Sequence, residues 1–314
     1  MFNTSRFTKG EKMSLKRAWI QITLLAIWCF NCAACSAQLL RPQDVNKLPA
    51  APADYRIRYG SDPIQFADLR LPSGKGPFPV AIIIHGGCWM KLADLQHTAP
   101  MSDALRHAGL ATWNIEYRRV DDMGGGWPGT FHDVGAAVDH LKTMAKTYKL
   151  DLTQVIVVGH SAGGHLALWV AARHHLPKTS PLFVEKPLPV RGAVNLGGPG
   201  DLQSFLPAQK RACGDVPITK LVGGLPSEVA QRYRDASPAE LLPLGVKQIL
   251  ITGTKDLLVP PKYGKEYEAA AQKSGDEIEM IEIENAGHFE VIAPNSTAWP
   301  TVERAVLSLV RFGR

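Results

Sequence analysis

Residues 155–164, Val-Ile-Val-Val-Gly-His-Ser-Ala-Gly-Gly, constrain the fold more than any other stretch. The β-branched run 155–158 is typical of a short buried strand, and residues 165–172 continue as an apolar helix. Between them, residues 159–163 fit the pattern G-x-S-x-G. A turn tight enough to expose the Ser161 hydroxyl strains the serine backbone, and flanking glycines leave room for the neighbouring chain. The stretch therefore predicts a nucleophilic serine between a strand and a helix, with a chance match in a glycine-rich loop as the alternative.

Strand-like and helix-like segments alternate through the rest of the chain. Besides 155–158, the strand-like segments are 55–59, 64–71, 79–84, 111–117, 190–196, 247–252 and 278–283. The helix-like segments are 101–107, 131–148, 165–172, 261–274 and 302–312. This alternation predicts an α/β fold with a doubly wound, mostly parallel sheet of about eight strands and helices on both faces. Residues 72–77, rich in Pro and Gly, predict a hairpin-like loop.

One segment departs from this alternation. Residues 202–244 mix Pro, Gly and charged residues with short helical patches. A long insertion between core strands is usually a lid or a binding loop. We therefore expect a single catalytic domain over residues 54–314, with 202–244 as a small cap above the strand ends. Residues 38–53, rich in Pro and Ala and without periodicity, predict a linker.

The first 37 residues resemble a secretory leader. Basic residues precede an apolar run over residues 18–30, which small residues follow at 33–37. The run is too short for a comfortable transmembrane helix. Cleavage after Ala37 would release a chain beginning at Gln38, and lipidation of Cys35 is the alternative, although Cys32 stands where a lipobox usually has Leu. We expect an exported protein, periplasmic or secreted, that is membrane-anchored only if it is lipidated.

Charge and cysteine content change once this leader is set apart. The formal net charge of +6 falls to +2 without residues 1–37, so nucleic-acid binding is not expected. Three of the five cysteines lie in the leader, which leaves Cys88 and Cys213. The two could pair in an oxidising compartment, but their spacing does not decide it. The oligomeric state is not determined by the sequence.

A serine nucleophile needs a base, and the base needs an orienting acid. In this architecture the acid and then the base follow the serine along the chain, each after a strand. Asp256 follows the strand-like segment 247–252, and His288 follows 278–283. We predict Ser161 as the nucleophile, Asp256 as the acid and His288 as the base. Asp201 and Glu282 are the alternative acids.

The sequence also supplies candidate donors for the substrate oxygen. His-Gly-Gly-Cys-Trp at 85–89 follows the apolar strand 79–84 and gives flexible backbone. The backbone N–H groups of Gly87, Cys88 and Ala162 are therefore the predicted oxyanion hole. Trp89 and His160 are expected to line the substrate pocket or to pack beneath it. Cys88 is a less favoured nucleophile because no base is placed for it.

No motif in the sequence calls for a metal or a cofactor. The His174-His175 pair and His165 lack the neighbours of a zinc-binding helix, and the three glycines at 124–126 lack the Lys-Ser/Thr of a P-loop. The predicted chemistry requires neither group.

With these motifs in their order, the chain resembles the α/β-hydrolase superfamily over residues 55–314, specifically its H-G-G-x-W branch. That branch includes kynurenine formamidases, bifunctional feruloyl and acetyl-xylan esterases, and relatives of hormone-sensitive-lipase esterases. The resemblance implies the α/β-hydrolase fold and the same roles for the triad and oxyanion residues. Cys88-Trp89 stands where lipase-like relatives have a third glycine, which favours the formamidase and feruloyl-esterase side.

The expected function is hydrolysis of a small-molecule carboxylic ester through an acyl-serine intermediate. An arylformamidase or other amide hydrolase would use the same triad, and a non-catalytic binding protein on the same fold is the third alternative. Because export favours an extracytoplasmic substrate, such as acyl groups on plant polysaccharide, the sequence favours an esterase.

Overall fold

Eight strands form one sheet in the computed structural model, which describes residues 38–311. In chain order the strands are β1 Tyr55–Arg58, β2 Phe66–Arg70, β3 Phe78–Ile84, β4 Ala111–Ile115, β5 Leu150–His160, β6 Gly192–Leu196, β7 Lys247–Gly253 and β8 Ile278–Ile283. Their spatial order is β1-β2-β4-β3-β5-β6-β7-β8. The β1–β2 and β2–β4 pairs are antiparallel and the other five are parallel. The predicted fold class is confirmed.

Helices cover both faces of this sheet. In chain order they are α1 Pro42–Val45, α2 Ala99–His107, α3 Gly129–Tyr148, α4 Ala162–Ala172, α5 Leu202–Cys213, α6 Pro217–Val222, α7 Ala230–Ala236, α8 Pro261–Lys273 and α9 Trp299–Ser308. Successive side chains of a strand point to opposite faces. Accordingly Ile82 of β3 belongs to one buried apolar cluster, with α3 and α4, and Ile83 belongs to another, with α2 and α9. Burial on both faces explains why the central strands are continuous apolar runs.

The loop over residues 72–77 is not a hairpin, so that prediction was wrong. It joins β2 to β3, and β2 pairs with β4 rather than with β3. A continuous parallel sheet places β3 beside β4 and β5, where both of its apolar faces are buried. The apolar pattern of β3 therefore outweighs the local turn signal.

The segment over residues 38–53 is packed on the domain, contrary to the predicted linker. Val45 of α1 is fully buried in the cluster that contains α2 and α9. The Leu40 N–H donates to Glu290 Oε1 at 2.6 Å. One buried aliphatic side chain contributes about 1.5–3 kcal/mol, so these contacts hold a stretch whose composition alone suggests mobile chain.

Helices α5, α6 and α7 fill the insertion between β6 and β7, where the sequence predicts a cap. Helix α5 begins with the Asp201 carboxylate accepting the Gln203 N–H at 2.8 Å and ends at Gly214 in the left-handed conformation. Among residues 38–311, no helix is both long and apolar enough to cross a membrane.

The parallel strands fix where the functional loops lie. Strands β3, β5, β7 and β8 all run in the same direction, so the loops that follow them emerge at one edge of the sheet. This is the edge at which open α/β sheets bind ligands. The predicted triad and oxyanion residues all follow one of these four strands.

Candidate active site

Ser161 lies on a sharp turn between β5 and α4. Its backbone has φ 54° and ψ −120°, outside the conformations that L-residues favour. Glycines make this turn sterically feasible: a Cβ at Gly159 would lie 1.9 Å from the Gly163 carbonyl oxygen, and one at Gly163 would lie 2.1 Å from the Ile84 oxygen. The Ser161 N–H donates to Leu196 O at 2.8 Å, which ties the strained residue to β6. The local sequence thus presents the serine hydroxyl at the end of the sheet.

Asp256 and His288 form a buried hydrogen-bonded pair. His288 Nδ1 lies 2.6 Å from Asp256 Oδ2, and the residues are 6% and 3% exposed. The other carboxylate oxygen, Oδ1, accepts the Leu258 and Val259 N–H groups at 2.9 and 2.8 Å. A carboxylate can only accept, so His288 donates from Nδ1 and keeps a lone pair on Nε2 when neutral. The arrangement orients a base.

Ser161 and His288 line one cavity of about 170 Å³, which we call the outer groove; it is bounded by Pro42, Leu92, His97 and Phe289. In the part of the chain that the structure describes, Ser161 makes no hydrogen bond with His288. Hydrogen bonds between nucleophile and base often shorten only when substrate binds. The structure thus brings His288 and Ser161 to the same cavity.

The loop after β3 faces the same serine. Gly87, Cys88 and Trp89 all have positive φ angles, of 100°, 56° and 55°. Within residues 38–311, the N–H groups of Gly87, Cys88 and Ala162 donate to no other group of the protein. They have the free donors that an oxyanion hole needs.

A buried carboxylate, Glu116, stabilises this loop. The sequence patterns did not predict its role. Glu116 follows β4 and accepts from His85 Nε2 at 3.0 Å, while its other oxygen accepts the Leu95 N–H at 3.0 Å. Tyr117 stacks on the His85 ring and donates its hydroxyl to the His85 carbonyl at 3.0 Å. Burial alone would raise the pKa of Glu116, but its contacts with His85, the charge of Arg119 and the Leu95 N–H together hold the pKa below its usual value. The sequence does contain one indication of this role: Glu116 is a charged residue that comes directly after a strand, at the edge of the sheet where ligands bind.

Two links join the loop after β3 to the cap. Cys88 and Cys213 form a disulfide, which ties the loop to the last residue of α5. Trp89 Nε1 donates to His165 Nδ1 at 3.3 Å, and His165 Nε2 donates to the Ala236 carbonyl at 2.9 Å. Burial lowers the pKa of His165 to about 4, so this imidazole is neutral and can accept from Trp89.

A second, smaller cavity lies under the cap and shares Ser161 and Cys88 with the outer groove. This inner cavity has a volume of about 20 Å³, and its lining includes Ser161, Ala162, Cys88, Trp89, Phe205 and Cys213. Trp89, 1% exposed, therefore both lines a pocket and packs beneath the loop. Of the predicted residues, Ala162 borders this cavity and not the outer groove.

Two further histidines lie in the outer groove. His160 Nε2 donates to the His288 carbonyl at 3.0 Å, so it supports the loop that carries the base. His97 Nδ1 donates to Asn46 Oδ1 at 2.8 Å. Burial, and after it repulsion from His288, lowers the pKa of His160 well below its ordinary value. Burial lowers the pKa of His97 to about 4. Both imidazole rings are therefore neutral near pH 7, with one nitrogen that donates a hydrogen bond and one that can accept.

The segment before β1 also reaches the base. Glu290 accepts the Leu40 N–H at 2.6 Å through Oε1 and the Gly287 N–H at 2.9 Å through Oε2. One carboxylate therefore joins the N-terminal segment to the residue that precedes His288. Pro42 of the same segment borders the outer groove. No pattern in the sequence points to this contribution.

The alternative acids lie elsewhere. Asp201 caps the start of α5, and Glu282 pairs with Lys265 at 2.8 Å. Among the described residues, no group of three or more His, Cys, Asp or Glu side chains could hold a metal ion.

Known proteins resemble this chain over most of its length. A family model described as BD-FAE matches residues 67–270. Esterase LipC of Mycobacterium tuberculosis is 24% identical over 264 residues, which cover 82% of this chain and 65% of LipC. The probable carboxylic ester hydrolase LipM of the same organism is 27% identical over 186 residues, which cover 59% of this chain and 43% of LipM. This chain thus spans less than two thirds of these relatives.

Among solved structures, esterase B from Lactobacillus Rhamnosis superposes with a TM-score of 0.71 at 19% identity, covering 94% of this chain and 96% of that one. At this identity the likeness shows a shared fold.

Proposed function

This chain belongs to the BD-FAE family of α/β-hydrolase esterases, and from that premise we propose that it hydrolyses carboxylic esters through an acyl-serine intermediate. The observation that carries the proposal is the buried Asp256–His288 hydrogen bond, which leaves a basic nitrogen beside the groove that Ser161 lines. No cofactor is needed for this reaction.

In the acylation half-reaction, His288 Nε2 takes the proton of the Ser161 hydroxyl as its oxygen attacks the ester carbonyl carbon. The carbonyl oxygen gains a negative charge and accepts hydrogen bonds from the N–H groups of Cys88 and Ala162, with Gly87 as a further donor. The intermediate then expels the alkoxide, which receives the proton from His288 and leaves as the alcohol. Asp256 stabilises the imidazolium throughout without taking the proton.

In the deacylation half-reaction, water replaces the alcohol. His288 takes a proton from water, the hydroxide attacks the acyl-serine, and Ser161 leaves with the proton that His288 returns. The products are the carboxylic acid and the free enzyme. The same groups therefore serve both halves.

The proposal extends to export. Residues 1–37, which lie outside the described residues, have the pattern of a signal peptide, with lipidation at Cys35 as the alternative. The Cys88–Cys213 disulfide supports an oxidising compartment, since disulfides are rare in the cytosol. Mass spectrometry of the purified protein would distinguish a chain beginning at Gln38 from one beginning at a lipidated Cys35.

Ser161→Ala tests the catalytic proposal. We expect kcat for p-nitrophenyl acetate to fall by at least about 10³-fold, because the acyl-enzyme cannot form. Ser274→Ala, the same change at an exposed helix end, should leave kcat unchanged. A fluorophosphonate probe should label the wild type at Ser161 and not the variant. Retained activity, or labelling at another residue, would refute the assignment.

A panel of substrates tests the ester preference. It contains p-nitrophenyl acetate, acetylated xylan, methyl ferulate and N-formylkynurenine, each with the Ser161→Ala control. Serine-dependent turnover of the esters supports an esterase. A strong preference for N-formylkynurenine would make the protein an amide hydrolase on the same triad.

A further inference from the structure

Glu290 has no part in the reaction described above, yet its carboxylate binds the residue that precedes the base. It begins a single helical turn, Glu290–Ile292, shortly after His288. The residue is 8% exposed. Its Oε2 accepts the Gly287 N–H at 2.9 Å, and its Oε1 accepts the Leu40 N–H at 2.6 Å. Burying a carboxylate is costly unless its oxygens accept hydrogen bonds, and here each oxygen accepts one from the backbone.

Hydrogen bonds hold the backbone of His288 on both sides. The N–H of Gly287, the preceding residue, donates to Glu290, and the carbonyl of His288 accepts from His160 Nε2 at 3.0 Å. The ring is held through Nδ1, which lies 2.6 Å from Asp256 Oδ2. With Nδ1 held there, the position of Nε2 depends on where the backbone places the Cβ of His288. Glu290 therefore helps to set where the base presents the nitrogen that takes the proton.

The packing around Gly287 is close. A Cβ added at Gly287 would lie 3.0 Å from Glu290 Oε2 and 3.3 Å from Leu39 Cδ1. The carboxylate and the N-terminal segment thus both pack directly against the backbone that precedes the base. A misplacement of about 1 Å in a catalytic group can slow a reaction by about 10²-fold, so a small movement at this place would affect the rate.

Residues 39–48 hold the other oxygen of Glu290. Val45 of this segment is fully buried, and Leu40 packs against the same apolar cluster. The Leu40 N–H is therefore presented from a segment that is anchored on the domain. Without this donor, Oε1 would lose the hydrogen bond that it accepts among the described residues. The carboxylate could then turn toward water and release Gly287.

We propose that Glu290 is a positioning residue for His288, and that the Leu40 N–H, by holding Glu290, makes residues 39–48 part of the active site. The inference rests on the proposed ester hydrolase function, and it adds to the triad one residue and one segment on which the base depends. A carboxylate suits this role because the two donors approach different oxygens, and an amide side chain has only one.

Glu290→Gln tests the positioning role, because its amide oxygen can replace only one of the two carboxylate oxygens. The purified full chain is assayed for kcat/KM, which reports the acylation half-reaction, on p-nitrophenyl acetate and on ethyl acetate. The p-nitrophenoxide ion leaves without a proton, whereas ethoxide needs the proton that His288 supplies. We expect kcat/KM to fall by about tenfold for p-nitrophenyl acetate and by about 30-fold or more for ethyl acetate. A role in stability alone would not change the ratio of the two values.

Glu284→Gln is the matched control. Glu284 is exposed in the same loop after β8, so the same chemical change there should leave both values of kcat/KM at the wild-type level. Circular dichroism and the thermal midpoint show whether each variant is folded.

Two substitutions at Leu40 test the link to the N-terminal segment. Leu40→Pro removes the N–H, whereas Leu40→Ala shortens the side chain and keeps the N–H. Residue 40 precedes the first helix, so neither change interrupts a helix or a strand. We expect Leu40→Pro, compared with Leu40→Ala, to lower the ratio of kcat/KM for ethyl acetate to that for p-nitrophenyl acetate by about threefold. Because both changes act through one carboxylate, the double variant Leu40→Pro/Glu290→Gln should lose less than the product of the two single losses.

The outcomes separate the two proposals. If the wild type hydrolyses neither ester in a Ser161-dependent way, the proposed function fails and this inference fails with it. If Glu290→Gln leaves kcat/KM unchanged, or lowers it equally for the two esters, the function stands and the positioning role is refuted. If Leu40→Pro and Leu40→Ala give the same ratio, the part assigned to residues 39–48 is wrong.

Discussion

Replacing Asp256 by Asn tests how the structure determines which ring nitrogen of His288 carries the proton. The substitution keeps the size of the side chain and exchanges one oxygen for an amide nitrogen. Asp256 Oδ1 accepts two N–H groups, from Leu258 and Val259, and Oδ2 accepts from His288 Nδ1 at 2.6 Å. An Asn has only one oxygen, so it can accept hydrogen bonds at the position of Oδ1 or at that of Oδ2, but not at both.

The two backbone donors decide the orientation of the amide. Turning the amide nitrogen toward Leu258 and Val259 would leave two N–H groups without an acceptor, at about 1–3 kcal/mol each. The oxygen therefore stays with them, and the amide nitrogen faces His288. A donor at that place forces His288 to accept at Nδ1 and to carry its proton on Nε2. The lone pair that should take the Ser161 proton is then lost.

We expect Asp256→Asn to lower kcat by about 10³- to 10⁴-fold, because the wrong tautomer predominates. The thermal midpoint should change little, since the contacts to Leu258 and Val259 are kept. The assay is kcat and KM on p-nitrophenyl acetate at pH 7, with the fold checked by circular dichroism. Glu282→Gln is the control, because Glu282 pairs with Lys265 and not with His288. A loss smaller than tenfold in Asp256→Asn, or an equal loss in Glu282→Gln, would refute the reasoning.

Three further predictions concern stability. Gly163→Ala should lower the free energy of unfolding by more than about 3 kcal/mol, since its Cβ would lie 2.1 Å from a backbone oxygen of Ile84. A difference between variant and wild type of less than about 1 kcal/mol in urea unfolding, the size of an ordinary surface effect, would contradict this. The pKa of His97 and of His165 is lowered to about 4, so between pH 4 and 6.5 the unfolded chain binds more protons than the folded one. The free energy of unfolding therefore falls as the pH falls through this window, by roughly 4 kcal/mol from pH 7 to 5, and the stabilisation is full only above pH 6.5. His97→Gln should reduce that loss. Replacing both Cys88 and Cys213 by Ser should lower the free energy of unfolding by about 5 kcal/mol, because the lost disulfide closes a loop between residues 125 positions apart. Equal urea midpoints for this variant and the wild type would exclude such a contribution.

Local patterns in the sequence predict the fold class and the identity of the catalytic candidates. The strand before Ser161, the glycines around it and the helix after it are all contiguous, so one stretch determines their geometry. Asp256 and His288 each follow a strand, and strands in a parallel sheet end at the same edge. Chain order alone therefore brings these loops together.

What the sequence could not predict depends on contacts between distant parts of the chain. The pairing of Cys88 with Cys213 requires the position of α5 over the loop after β3, which no periodicity encodes. The packing of residues 38–53 depends on one buried side chain, Val45, and on Glu290, which is 250 residues from the Leu40 N–H it accepts. The hairpin expected at 72–77 was wrong because strand neighbours in the sheet are not neighbours in sequence.

The Cys88–Cys213 link also determines what happens if the chain is cut. The covalent ring that it closes contains Ser161 and the exposed Lys178, after which a trypsin-like protease could cut the chain. Cleavage after Lys178 opens the ring but leaves both pieces joined through sulfur, so the piece that carries Ser161 stays attached to the piece that carries Asp256 and His288. Such a nicked protein would run as one band on a non-reducing gel and as two after reduction. For an enzyme proposed to work outside the cytosol, where proteases are common, the link preserves the molecule after the first cut.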